Sequence, residues 1–183
     1  MTREEHNIKP IFNKDSEILI LGSFPSVKSR EGNFFYHHPQ NRFWKVIAAV
    51  TGWNVPCTIE EKQGMLLENH IAIWDVIASC DIEGSSDSSI KNVIPNDLGM
   101  ILSVGKITHI YTNGGTASRL YRKYCQKKTG IEDIKLPSTS PANAAYSLER
   151  LVSEWAIINK NKKIEKSVDN EIYYVLEYIL SLR

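Results

Sequence analysis

Short apolar runs alternate along this chain with longer segments of helical periodicity. The first run, residues 17–21, ends at Gly22 and has the apolar character of a buried strand. Similar runs predict three further strands, at residues 70–74, 106–112 and 131–136. Segments with apolar residues every three or four positions predict helices at residues 41–51, 58–69, 95–104, 116–128, 143–159 and 170–182.

Strands that alternate with helices indicate right-handed βαβ crossovers and parallel pairing. We therefore predict an α/β fold with three α/β/α layers and a short, mostly parallel, four-stranded central sheet. Residues 1–183 are expected to form one domain, with a core over residues 15–160 and a lysine-rich segment and helix over 160–183. Ligands of such sheets bind beyond the carboxyl ends of the strands. The loops to consider are therefore residues 22–41, 75–92, 113–116 and 137–143.

Composition narrows the classes of function. With 42% hydrophobic and 23% charged residues and a formal net charge of +1, the chain resembles an ordinary globular protein, so any nucleic-acid surface must be a local patch. Residues 1–10 are polar and no run is long enough to span a membrane, so we expect a cytoplasmic, intracellular protein. Its cysteines, Cys57, Cys80 and Cys125, are odd in number and far apart, which indicates reduced thiols and no metal site.

The loop after the first strand combines a glycine, a proline and two serines. A turn of this kind brings main-chain N–H groups together and favours anions, although a plain turn explains it equally well. It lacks the second glycine of a nucleophile elbow. An aromatic and amide-rich segment then leads into the first predicted helix. These two segments read Gly22-Ser23-Phe24-Pro25-Ser26 and Asn33-Phe34-Phe35-Tyr36-His37-His38-Pro39-Gln40-Asn41-Arg42-Phe43-Trp44.

Together these segments resemble the first active-site region of the hypoxanthine-DNA glycosylase branch of the uracil-DNA glycosylase superfamily. A later segment, residues 136–143, resembles the second motif of that superfamily: Leu136-Pro137-Ser138-Thr139-Ser140-Pro141-Ala142-Asn143. The resemblance covers about residues 17–157. It implies a DNA repair enzyme that hydrolyses the N-glycosidic bond of a base flipped out of the duplex.

The resemblance assigns catalysis to Asn41. Other branches of the superfamily often place a carboxylate or amide at the third position of the first loop, where this chain has Phe24, which cannot bind water. In the hypoxanthine branch the role falls to an asparagine that matches Asn41. Its amide oxygen is expected to hold the attacking water and face the developing sugar cation. The alternative is that Asn41 is a helix N-cap.

Base recognition is expected where strand ends and aromatic side chains meet. Asp75 follows the second strand, and its carboxylate would accept the N1–H of hypoxanthine; an exposed or helix-capping aspartate is the alternative. Phe35 and Tyr36 either wall the pocket or fill the core, whereas Phe43 and Trp44 are expected in the core. The predicted base-binding residues are Gly22, Ser23, Phe24, Phe35, Tyr36, Asp75 and Asn113.

DNA contacts are expected from the two loops and the charges beside them. Ser140 followed by Pro141 also fits a helix N-cap, and the basic helix 116–128 is either a phosphate surface or a solvated face. The predicted DNA-binding residues are Pro25, Ser26, Lys28, His38, Arg42, Ser138, Thr139, Ser140, Pro141 and Asn143.

The function expected from the resemblance is that of a monofunctional glycosylase acting on deoxyinosine. It would act as a monomer on double-stranded DNA containing a deaminated base, without a metal, another cofactor or a membrane. The alternatives are a glycosylase that prefers uracil or mismatches, a non-catalytic module that binds DNA lesions, and an α/β protein that binds a small nucleotide or sugar phosphate.

Overall fold

The computed structural model describes residues 1–160, and the four strands of its central sheet lie close to the four predicted strands. The strands are β1 (Thr2–Glu5), β2 (Ile18–Gly22), β3 (Ile71–Asp75), β4 (Ile77–Ile82), β5 (Lys91–Pro95), β6 (His109–Asn113) and β7 (Asp133–Leu136). The helices are α1 (Val27–Glu31), α2 (Phe43–Thr51), α3 (Ile59–Glu68), α4 (Gly99–Leu102), α5 (Gly115–Tyr124), α6 (Gln126–Thr129), α7 (Leu148–Trp155) and α8 (Ile157–Lys160).

A four-stranded parallel sheet forms the centre of the fold, in the order β3-β2-β6-β7. All five residues of β2 and all five of β3 are buried, which explains their uninterrupted apolar sequences. Helices pack around this sheet, with α3 against β3 and α5 against β6 and β7. The prediction of an α/β fold with a four-stranded parallel sheet between helices is confirmed.

The strand order determines where a ligand can bind. The chain leaves β2 for β3 on one side and then returns across the sheet to β6 on the other side of β2. Neighbouring parallel strands whose connections run in opposite directions leave a crevice at their carboxyl ends. Gly22, at the end of β2, pairs with Asp75, and Asn113 ends the neighbouring β6. These three residues therefore stand at one edge of the sheet.

A second, antiparallel sheet of order β1-β4-β5 was not predicted. We expected a loop over residues 75–92, but β4 starts two residues after β3 ends, and β5 begins at Lys91. The polar strand β1 pairs with β4 from Thr2 opposite Ile82 to Glu5 opposite Ser79. Strand β1 forms because its main chain pairs with β4 and not because apolar side chains are buried. The hydrophobic pattern of the sequence therefore does not indicate this strand.

Helix boundaries differ from the predictions at three places. The helix expected over residues 95–104 is shorter, because Pro95 closes β5 and α4 begins at Gly99. The helix 116–128 breaks at Cys125 into α5 and α6. The helix expected from residue 143 begins at Leu148, with Ser147 as its N-cap, so Ser140 is not a cap and the second loop contains no helix N-terminus.

Local side-chain contacts set the start of α3 and part of the core. Thr58 and Glu61 form a reciprocal capping box at the start of α3. Phe43 and Trp44 are buried in the core, as expected. No helix within residues 1–160 is long and apolar enough to cross a membrane. The predicted lysine-rich segment and helix after residue 160 lie outside the described residues.

Candidate active site

A cleft opens at the crevice between the ends of β2 and β6, with a volume of about 160 Å³. Both loops with family-like motifs border it, so segments more than 100 residues apart meet there. The predicted site residues that line the cleft are Gly22, Ser23, Phe24, Pro25, Ser26, Phe35, Tyr36, Asn41, Asp75, Asn113, Ser138, Thr139 and Ser140. Four further lining residues were not predicted: Ser29, Ile82, Ser85 and Asp87.

Asp75 lies against the main chain of Gly22 at the floor of the cleft. A Cβ atom at position 22 would stand 2.1 Å from Oδ1 of Asp75, which is closer than any real contact. Asp75 is only 4% exposed, so its carboxylate depends on the absence of a side chain at Gly22. A glycine therefore ends β2 because the neighbouring carboxylate fills the space of a side chain.

His6 holds this carboxylate from behind, and sequence analysis missed it. Its Nε2 lies 2.8 Å from Oδ2 of Asp75, and its side chain is fully buried. The Nδ1 atom accepts a hydrogen bond from the main-chain N–H of Ile8, so in the neutral ring the proton sits on Nε2 and is donated to Asp75. The alternatives of an exposed or helix-capping Asp75 are thus excluded, since it is buried and paired.

The Tyr36 hydroxyl stands near the same carboxylate without a hydrogen-bond partner of normal geometry among residues 1–160. Its burial, and then the negative charge of Asp75, raise the pKa of Tyr36 far above the ordinary value, an effect that the Asn113 side chain opposes. The Tyr36 ring stacks on Phe43 with centroids 3.8 Å apart. Phe35 is 2% exposed, so it belongs to the core as well as to the cleft wall. The hydroxyl of Tyr36 remains protonated and is left as a donor at the cleft floor.

Asn41 joins the two loops. Its Oδ1 accepts hydrogen bonds from the main-chain N–H of Phe43 and from the hydroxyl of Thr139, each 3.0 Å long. The first bond is local capping of α2, although Arg42 occupies the cap position itself. Asn41 therefore both lines the cleft and bonds to the first turn of α2, so the two alternatives for this residue do not exclude each other. The expectation that the amide oxygen faces the attacking water does not fit, because two protein donors already occupy that oxygen.

Thr139 is the buried centre of this connection. Its main-chain N–H donates to Oδ1 of Asn113 at 2.9 Å, while Nδ2 of Asn113 donates to the Thr139 hydroxyl at 3.0 Å. Gly114, with φ of 100°, follows Asn113 and approaches Ser138 so closely that an added Cβ would lie 2.9 Å from the Ser138 Cβ. Thr139 is 0% exposed. Asn113 and Thr139 thus fasten the second loop to the end of β6.

Arg42 holds the second loop through hydrogen bonds from its guanidinium group. Its guanidinium donates to the carbonyl oxygens of Ser140 at 2.6 Å, Asn143 at 3.0 Å and Tyr146. Nε donates to the carbonyl of Thr139 at 3.3 Å. Because every guanidinium nitrogen has a carbonyl partner, the group predicted to bind phosphate instead orders residues 139–146.

Asp87 stands at the rim of the cleft and was not predicted. It comes from the 3-10 turn Asp87–Ser89, and its Oδ1 accepts a hydrogen bond from the Ser23 hydroxyl at 2.9 Å. Desolvation by the surrounding atoms raises the pKa of Asp87, an effect that hydrogen bonds from Ser23 and Thr116 oppose. A second carboxylate, besides that of Asp75, therefore lines the cleft.

Besides Arg42, four predicted DNA-contacting residues lie outside the cleft lining. The exposed Lys28 pairs with Glu31 at 2.8 Å, and Nδ1 of His38 accepts from the main-chain N–H of Gln40. Pro141 is exposed, and Nδ2 of Asn143 donates to the carbonyl of Ser138. Within residues 1–160, no three His, Cys, Asp or Glu side chains are grouped as metal ligands would be.

Comparison with known proteins agrees with this architecture. The model of the uracil DNA glycosylase superfamily matches residues 10–162, and the chain belongs to that superfamily. The hypoxanthine DNA glycosylase of Methanosarcina acetivorans is 35% identical over 150 residues, 81% of this chain and 93% of the relative. The protein of the same name from Methanosarcina barkeri is 29% identical over 154 residues, 84% of this chain and 96% of the relative.

A solved structure gives the same result at the level of the fold. The solution NMR structure of a candidate uracil DNA glycosylase from Methanosarcina acetivorans superimposes with a TM-score of 0.74 and 31% sequence identity. The similarity covers 87% of this chain and 98% of that chain. The expected superfamily is therefore confirmed both by sequence and by fold.

Proposed function

We propose that this protein is a monofunctional DNA glycosylase that releases hypoxanthine from deoxyinosine in double-stranded DNA, as the first step of base excision repair. The observation that carries the proposal is that the amide of Asn41 and the carboxylate of Asp75 line one cleft at the carboxyl ends of the central strands. The names of the two Methanosarcina relatives support hypoxanthine as the substrate.

Asp75 is the group that we assign to base recognition. A base must leave the stack to reach a cleft of this kind. Hypoxanthine carries a hydrogen on N1, which a carboxylate accepts, whereas adenine has only a lone pair there, which a carboxylate repels. We assign O6 to main-chain N–H groups of the loop after β2. His6 donates to Oδ2 of Asp75, so Oδ1 is the oxygen that we assign to the base.

The reaction itself requires water and a stabilised sugar cation. The C1′–N9 bond breaks with its electron pair going to the base, water adds to C1′, and one proton of that water is transferred to the leaving base or to solvent. Two carboxylates, Asp75 and Asp87, line the cleft and favour positive charge on the sugar. No lysine lines the cleft in the described part of the chain, which supports water rather than an amine as the nucleophile.

DNA is proposed to approach the mouth of the cleft between the two loops. Pro25 and Ser26 would contact the backbone from the first loop, and Ser138, Ser140 and Pro141 from the second. The exposed Lys28 and the half-buried His38 would add salt-dependent attraction for phosphates. We propose that the protein acts as a monomer inside the cell, associated with the nucleoid when bound to DNA.

A base-release assay tests this function. Duplexes that each contain one hypoxanthine, uracil, xanthine or normal base are incubated with the protein, and alkali-labile abasic sites are counted. We expect abasic sites from the hypoxanthine duplex, and a loss of about 100-fold or more in Asn41→Ala with unchanged folding. The exposed Lys45→Ala on α2 is the matched control. Lesion binding without base release would favour a non-catalytic module, and binding without preference for duplex DNA would favour a small-molecule site.

A further inference from the structure

The hydrogen bonds around Thr139 have only one possible direction. At one end, the main-chain N–H of Thr139 can only donate, so the atom of Asn113 that it contacts is Oδ1. The other amide atom of Asn113, Nδ2, must then donate to the Thr139 hydroxyl. That hydroxyl has a single hydrogen, and its remaining partner is Oδ1 of Asn41.

The far end of this chain of bonds is fixed as well. The main-chain N–H of Phe43 can only donate, and it contacts the same Oδ1 of Asn41. Two obligatory main-chain donors, at Thr139 and Phe43, thus set every proton between them. An sp² oxygen has two lone pairs, and both of those on Asn41 are used. Its NH2 group makes no hydrogen bond within residues 1–160 and is the polar group that Asn41 can offer to a ligand in the cleft.

We infer that Thr139 is a positioning residue that holds Asn41 as a hydrogen-bond donor, and that this donor stabilises the departing base. The inference rests on the proposed function and changes its chemistry. When the glycosidic bond breaks, negative charge develops on the ring nitrogens of hypoxanthine, and a donor aimed at N3 or N7 stabilises it. An amide NH2 group cannot remove a proton from water, so Asn41 does not act as a base.

This role explains why a residue with no exposed surface connects the two loops. Thr139 is 0% exposed. Its carbonyl oxygen accepts a hydrogen bond from Arg42, its N–H donates to Asn113, and its hydroxyl donates to Asn41. A valine at this position has the same shape but lacks the hydroxyl. It would leave Oδ1 of Asn41 with Phe43 as its one remaining donor within residues 1–160, so the amide would be held less firmly.

Single-turnover rates of hypoxanthine release test the inference. We expect Thr139→Val to slow release by about 10- to 100-fold, which is less than the roughly 100- to 1000-fold loss on removing a transition-state donor outright, because the Asn41 amide is misplaced and not lost. Thr139→Ser should remain within about threefold of the parent protein, because it keeps the hydroxyl. Affinity for an uncleavable 2′-fluoro-deoxyinosine duplex should be unchanged in both. Thr108→Val is the matched control, because it also removes a threonine hydroxyl but lies at the amino end of β6, away from the cleft. It should leave the rate unchanged.

The Asn41→Asp variant tests whether Asn41 acts as a hydrogen-bond donor or as an acceptor, and it does so even if Thr139→Val folds poorly. A carboxylate at position 41 offers no N–H, so the donor role predicts a rate as low as that of Asn41→Ala. Two base analogues, in which carbon replaces either N3 or N7, identify the nitrogen that the donor contacts. The parent protein should release one of the two analogues more slowly than hypoxanthine. On that analogue, Thr139→Val should be no slower than the parent protein.

Two results would overturn the inference while leaving the proposed function intact: an Asn41→Asp protein as active as the parent, or a folded Thr139→Val protein with the parental rate while Asn41→Ala is slow. Absence of base release by the parent protein would instead overturn the proposed function and this inference with it.

Discussion

Nε2 of His6 lies 2.8 Å from Oδ2 of Asp75, and neither side chain is more than 5% exposed. The pair joins the N-terminal segment to the end of β3, 69 residues away along the chain. Because Nδ1 accepts the main-chain N–H of Ile8, Nε2 is the atom that donates to Asp75 and orients its carboxylate. Strand β1, which directly precedes His6 and pairs with β4, therefore supports the cleft.

Replacing His6 by phenylalanine should destabilise the fold. The ring fits among Phe24, Phe35 and Trp74, which already contact His6, but the carboxylate loses its donor and stays buried. We expect a loss of about 2–4 kcal/mol in the free energy of unfolding, measured in urea. Adding Asp75→Asn to this variant should recover part of that loss. A double variant less stable than His6→Phe alone would show that the unpaired carboxylate is not the cause of the destabilisation.

A methyl group at Gly22 should disable the cleft. The added Cβ would lie 2.1 Å from Oδ1 of Asp75, so the carboxylate must move from its place in the cleft. We expect Gly22→Ala to lower the rate of base release by about 10-fold or more, in line with the effects of small displacements at active sites. Gly64→Ala is the control, since the nearest atom to its added Cβ is 3.9 Å away. That helical substitution should raise stability by about 0.5–1 kcal/mol. Equal activity in both variants would refute the close approach.

Removing the Arg42 side chain should loosen the second loop without changing the salt dependence of DNA binding. Its guanidinium donates to carbonyl oxygens of the second loop, and Arg42 is not among the residues that line the cleft. We expect Arg42→Ala to lower the free energy of unfolding by about 1–3 kcal/mol. The slope of log K against log salt, measured on an uncleavable duplex, should equal that of the parent. A decrease of about 0.9 in that slope would show a direct phosphate contact instead.

Acid should weaken the attachment of α5 to β7. Burial opposes ionisation of Asp133, but hydrogen bonds from Thr112, Arg122 and Ser118 outweigh it and hold the pKa of Asp133 below the ordinary value. A depressed pKa stabilises the fold above the unfolded value of about 4, and this stability is lost as the pH falls through the folded value. The parent should therefore lose more unfolding free energy than Asp133→Asn between pH 6 and pH 3.

The neighbouring Glu132→Gln supplies the control for this titration, because Glu132 is exposed. Its unfolding free energy should fall with pH in parallel with that of the parent protein. Parallel curves for Asp133→Asn and the parent would contradict the expected contribution of Asp133. Urea unfolding at each pH gives the comparison directly.

The central sheet could be predicted from sequence because its strands are buried on both faces. β2 and β3 are uniformly apolar, and parallel strands place their carboxyl ends together, so the positions of Gly22 and Asp75 follow. The second sheet could not be predicted in this way. Its β1 strand is mostly exposed and acquires its structure by pairing with β4, to which the polar sequence gives no clue.

Side-chain roles were harder to predict than side-chain positions. Asn41 lines the cleft as expected, but the orientation of its amide depends on Thr139, whose hydroxyl direction only the assembled loops determine. Arg42 was assigned to phosphate from its charge, and its carbonyl partners appear only when residues 139–146 fold against it. A lone histidine near the N-terminus, His6, carries no local signal of its partner at the end of β3.

The structure of the Asn41→Ala variant bound to a duplex with one uncleaved deoxyinosine tests the central claim most directly. The hypoxanthine ring should lie in the cleft above Gly22, with N1 within about 3 Å of Oδ1 of Asp75, as a hydrogen bond requires. A base that remains stacked in the duplex, or that is flipped out but held away from Asp75, would contradict the assignment of this cleft as the active site.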